Sequence, residues 1–142
     1  SETFFSLNPP TRLKLRNETL SGTLSALSSG QADLAVGVSY DYSNRPGLRF
    51  APLGEVEFVF AVAPQHPLAQ VAQPLSDRLI QSHRAVAVAD TVPQAMGLTF
   101  GLLAGQDVFT VPSMGAKLDA QLRGLGAGFL PCPKDGQGHR LC

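Results

Sequence analysis

The sequence carries no excess of charge of either sign. Lys and Arg total 11, Asp and Glu total 11, and the formal net charge is zero. Without a basic surplus there is no counterion release to drive nucleic-acid binding, so this chain by itself does not read as a DNA binder. Charge is also sparse, at 15% of residues. No apolar run approaches the ~20 residues that a membrane-spanning helix needs, and no charged segment followed by an apolar one marks a signal peptide. Cysteine occurs twice, at Cys132 and Cys142. That is too few for a disulfide scaffold and fits a reducing, cytoplasmic setting, with two incidental thiols in a polar tail.

Catalytic patterns are missing as well. His66, His83 and His139 fall in turn, strand-edge and tail settings, and no G-x-S-x-G elbow surrounds a serine. Asp33 has no second carboxylate beside it and reads as a strand-entry residue. His66 reads as a local hydrogen-bonding residue in a tight HPLA turn. An enzyme is therefore not expected, and no cofactor is called for. Cys132, His139 and Cys142 make at most three ligands without a C-x-x-C pair, so no metal site is expected either. The run GLGAG, Gly124–Gly128, has Phe129 where a dinucleotide fingerprint needs its third glycine, and it follows a helix instead of preceding one. A helix stop and tight turn is the better reading.

What is present is a glycine- and proline-rich chain of 142 residues, 44% apolar, with 14 Gly and 11 Pro. The order of its elements gives the class. Arg12–Arg16, RLKLR, alternates as a half-buried edge strand with Leu13 and Leu15 inward. Leu20, Leu24 and Leu27 repeat at helical spacing, with Thr19 or Ser21 as cap and Gly30 as stop. Asp33–Gly37 is a short apolar strand of the kind covered on both faces, so strand, helix and strand form a βαβ unit. Strands are expected at Leu48–Leu53, Glu55–Ala63, Ala85–Ala89, Asp107–Val111 and Ala127–Leu130. Helices are expected from Ser76 to Gln81 and from Ser113 to Arg123, the latter with Met114, Leu118 and Leu122 on one inward face. Lys117 and Arg123 read as part of a solvated face, and the start of the Ser113 helix as a generic anion-facing position. Leu98–Ala104 is ambiguous between strand and helix. Alternation throughout makes the class α/β.

Three segments in order carry a resemblance: ETLSGTLSALSSGQADLAVG, LRFAPLGEVEFVFAVAPQHPLA and VFTVPSMGAKLDAQLRGLGAGFLP. Together they resemble the effector-binding domain of LysR-type transcriptional regulators, over about residues 4 to 131. The resemblance implies a two-lobed fold like type II periplasmic binding proteins, with a ligand cleft between lobes. It assigns residues 1–54 to the first lobe, 55–131 to the second and 132–142 to an atypical polar tail, with Gly54 as hinge. It places effector-binding positions at Thr19, Leu20, Val38, Ser39, Asp90 and Thr91, suited to a small polar or anionic metabolite. It also implies DNA binding only through an N-terminal helix-turn-helix that this chain lacks, and a homo-oligomer for the intact regulator.

Departures from the family pattern create a further expectation. A central first-lobe strand, which normally lies between RLKLR and DLAVG, is missing, and the ending PCPKDGQGHRLC does not look like the family's continuation. Both ends read as truncated. An incomplete first lobe is expected to leave backbone groups unpaired and apolar faces open, and the chain to be marginally stable alone. A fragment of a solute-binding protein of the same fold, or a truncated gene product without function, are the alternatives.

Overall fold

A computed structural model describes residues 2–38, 44–90, 102–134 and 137–140. Its elements run α1 (Glu2–Ser6), α2 (Ser21–Ser28), β1 (Val56–Ala61), a 3-10 turn (Pro67–Gln70), α3 (Asp77–Gln81), β2 (Ala85–Val88), β3 (Val108–Val111), α4 (Met114–Leu122) and β4 (Gly128–Pro133). β1 pairs antiparallel with β4, from Val56 opposite Pro133 to Ala61 opposite Gly128, and β2 pairs parallel with β3. A parallel bridge between Ala85 and Ala127 joins the two ladders. It is closed by Val86 N–H to the Ala127 carbonyl and Ala127 N–H to the Arg84 carbonyl, each 2.9 Å. α4 packs over β2, β3 and β4. The core between them is Val86, Val111 and Ala120, with Val88 and Ala116 against it.

Local chemistry explains where these elements begin and end. The Ser113 hydroxyl accepts the Ala116 N–H at 3.1 Å and caps α4, and the Ser76 hydroxyl caps α3 by accepting the Leu79 N–H. α2 and α4 close in the same way. Gly30 N–H bonds the Leu27 carbonyl and Gln31 N–H the Ala26 carbonyl; Gly124 N–H bonds the Gln121 carbonyl and Leu125 N–H the Ala120 carbonyl. These are paired Schellman bonds, with glycines at φ 71° and 74° in the left-handed position. Two more glycines of the GLGAG run are held by space. A Cβ on Gly126 would lie 2.8 Å from the Arg84 carbonyl oxygen, and one on Gly128 3.0 Å from that of Val86.

The first third of the chain differs from the sequence expectation. Among the described residues, RLKLR, Asp33–Gly37 and Leu48–Leu53 form no strands. Leu13 and Leu15 face water instead of a core, Leu15 being 81% exposed, as do Leu34 at 80%, Val36 and Leu53. The physical reason is the missing neighbour. A strand without a partner on either edge leaves its N–H and C=O groups to water and gains no packed face. α4 also turns a different face inward. Lys117 and Gln121 are buried, at 4% and 2% exposed, whereas Met114, Leu118 and Leu122 point outward. Only small or linear side chains fit beneath α4, because Gly128 brings the backbone within 3.1 Å of where a Cβ would meet the Lys117 Cε. Lys117 is thus no part of a solvated face, and burial lowers its ammonium pKa from the usual 10.5.

The ending also departs from a plain polar tail. β4 runs on through Cys132, which is fully buried and disulfide-bonded. The other cysteine of the sequence, Cys142, lies outside the described residues. Cys132 is therefore neither an incidental thiol nor a free thiolate ligand. Lys134 bridges antiparallel to Arg140, and both side chains reach the Glu57 carboxylate. Arg140 forks onto it at 2.6 and 3.1 Å. The hydrogen bond from Arg140 first, and that from Lys134 after it, hold the Glu57 carboxyl below its usual range.

Candidate functional site

The residues expected to form a site come from opposite halves of the sequence, and the structure brings three of them together. Thr19, at the approach to α2, donates its hydroxyl to the Ala89 carbonyl just past β2. The next residue along, Asp90, accepts from Ser21 through Oδ2: from the backbone N–H at 3.3 Å and from the hydroxyl at 2.5 Å. Leu20 lies between the two contacts, at φ 49° and ψ −121°. A branched side chain rarely takes that backbone conformation, and it persists only where the surroundings over-determine it. The Thr19 carbonyl accepts the Gly22 N–H at 2.9 Å and completes the first turn.

This junction has a physical cause on each side. Leu20 stands at the N-cap position and has no side-chain acceptor, so the first N–H groups of α2 need one from elsewhere. β2 is buried along Ala85, Val86 and Ala87 and ends beside α2, which delivers Asp90 as that acceptor. A carboxylate at a helix N-terminus also meets the positive end of the helix dipole. Thr19, Ser21 and Asp90 are all partly buried, which strengthens these bonds.

The remaining expected positions are less informative. Val38 is half-buried at the end of an irregular segment, and no hydrogen bond among the described residues links it to Thr19 or Asp90. Ser39 and Thr91 lie outside the described residues. Gly54 is exposed two residues before β1 at φ 152°, with open space where a side chain would be. Ser21 is the residue that sequence reasoning did not place in the site. Its signal was the leucine before it, which leaves the first N–H of α2 without a local cap.

Two other polar groupings lie apart from this junction. Nδ1 of His66 accepts the Leu68 N–H at 3.1 Å and caps the 3-10 turn, as the HPLA turn suggested. Its ring lies 5.2 Å from that of His83. Burial first, and the neighbouring His83 second, lower the His66 pKa from the ordinary 6.5. Under α4, the Gln121 side-chain N–H group donates to the carbonyls of Ala61 and Gly128, while its Oε1 is buried without a partner. No group of three or more metal-ligating side chains occurs among the described residues, and no helix there is long and apolar enough to cross a membrane.

A family model for the LysR substrate binding domain matches residues 2–133. The chain belongs to that family. LysR substrate-binding domains have a periplasmic-binding-protein-like α/β fold, and the mixed helices and strands of this chain agree with it. Relatives of this LysR domain include the HTH-type transcriptional regulator YeeY of Escherichia coli K12, 41% identical over 130 residues, with 92% of this chain and 42% of that protein covered. The HTH-type transcriptional activator AllS of Klebsiella pneumoniae is 32% identical over 125 residues, covering 88% of this chain and 46% of its own. The probable HTH-type transcriptional regulator YhaJ of Escherichia coli K12 is 32% identical over 123 residues, covering 87% and 41%. The chain spans less than half the length of these relatives. It is the effector-binding type of domain found in LysR regulators.

Proposed function

We propose that this chain is the sensing part of a LysR-type bacterial transcriptional regulator, taking up a small metabolite where two lobes meet. In this reading residues 1–54 contribute to the first lobe and 55–131 to the second, and Gly54 is the hinge between them. The effector lies among Thr19, Leu20, Val38, Ser39, Asp90 and Thr91. The observation that carries the reading is the meeting of Thr19 and Ser21 with Ala89 and Asp90, about seventy residues later in sequence, in a chain matched by the LysR domain from residue 2 to 133. Binding would change how the two segments meet. In the whole regulator that change would reach a DNA-binding helix-turn-helix outside this chain, through a homo-oligomer in the cytoplasm. Control of that kind asks for a coupling of ~1–3 kcal/mol between effector and DNA sites. No catalytic step and no cofactor enter this account.

The test is a metabolite screen on the chain by thermal shift, followed by Thr19→Val in the presence of any ligand found. Thr19→Val keeps the side-chain shape and removes the hydroxyl. The expected result is a dose-dependent rise in Tm for the wild type and an affinity weaker by about tenfold in the variant. Equal affinity in both would remove Thr19 from the site.

A further inference from the structure

The proposed effector position has an occupant of its own. The donors that open α2 are the Ser21 N–H and hydroxyl, and both are taken by Oδ2 of Asp90. Leu20 supplies no cap, so the helix depends on this distant carboxylate for its first donor. The Thr19 hydroxyl on the Ala89 carbonyl seats the adjacent backbone on the same spot. Three hydrogen bonds therefore join residues 19–21 to residues 89–90, two of them ending on one carboxylate oxygen.

Resting on the reading of this junction as the effector position, we propose that the Asp90 carboxylate is an autoinhibitory latch that an oxyanion-bearing ligand must displace. Such a ligand needs an N–H and a hydroxyl to hold its oxygens, and Ser21 offers both. Two anions cannot share those donors without repulsion in a partly buried setting. Asp90 is tethered, so it competes at an effective concentration set by its own chain, in the millimolar range. A ligand that wins the donors of Ser21 breaks the contact between the two segments at the same moment. The latch thus sets the threshold for binding and converts ligand entry into a change in how the segments meet.

The test is a titration of the full 142-residue chain with inorganic phosphate, followed at the amide resonances of Ser21, Gly22 and Thr23, for the wild type, Asp90→Ala and Asp90→Asn. Asp90→Ala is expected to bind phosphate about tenfold more tightly than the wild type, with the shifts centred on Ser21. Asp90→Asn, which keeps a neutral acceptor of the same shape, is expected to fall between. Unchanged phosphate affinity in the variants, or shifts confined to residues away from the start of α2, would overturn the proposal. If Asp90→Ala loses the native amide pattern, Asp90→Asn decides alone, because it must still bind phosphate more tightly than the wild type. The two readings fail separately. A gain of phosphate binding without any metabolite ligand would sink the effector reading and leave the latch; a metabolite bound at Ser21 with no gain in the variants would sink the latch.

Discussion

Gly126 shows how single atoms decide the packing of this chain. Its Cα lies so close to β2 that an added methyl would sit 2.8 Å from both the Arg84 carbonyl oxygen and the Val86 Cγ2. The first is backbone in a bridged strand and cannot move aside without breaking the two 2.9 Å bonds that tie β4 to β2. Gly126→Ala is therefore expected to destabilise the chain by about 1–3 kcal/mol in urea unfolding. A change within ±0.5 kcal/mol would contradict the close approach. His66 makes a second residue-scale prediction. Its Nδ1 can accept the Leu68 N–H only while unprotonated, and its folded pKa is lowered from 6.5. The unfolded chain then binds more protons in the window just below pH 6.5, so stability present above that pH falls as the solution is acidified through the folded pKa. Tm measured from pH 7.5 to 5 should decline, and His66→Asn should flatten the decline. An unchanged slope in the variant would assign the acid sensitivity elsewhere.

At the scale of elements, what was legible in the sequence follows from local chemistry, and what was not follows from missing neighbours. Ser76, Ser113, Gly30 and Gly124 act on backbone groups a few residues away, so their cap and stop roles read directly from position. β2 and β3 were legible because each is a short apolar run that finds its partner in the same segment. RLKLR and DLAVG have the composition of strands, yet strand formation is a property of a pair. The inward face of α4 was misread for a different reason. Met114, Leu118 and Leu122 satisfy helical spacing, but the glycine-rich β4 approaches too closely for branched side chains, and the linear Lys117 and Gln121 take the inner positions. The site was half legible. The family pattern gave Thr19, Leu20 and Asp90, but the bond that joins them ends on Ser21, whose part depends on Asp90 being near in space.

The whole molecule is uneven. Residues 56–134 hold all four strands and the Val86, Val111 and Ala120 core, whereas the described residues before them hold two short helices and several exposed leucines. The two parts meet at the start of α2, through Thr19, Ser21, Ala89 and Asp90. The account's central claim is that this meeting point is where an effector acts. It is tested most directly by mapping amide shifts in the chain on titration with a metabolite that raises its Tm. The account predicts the largest shifts at Ser21, Gly22, Thr23 and Ala89, with α4 and β1 unaffected. Shifts concentrated on α4 or β1, with residues 19–23 unmoved, would contradict it.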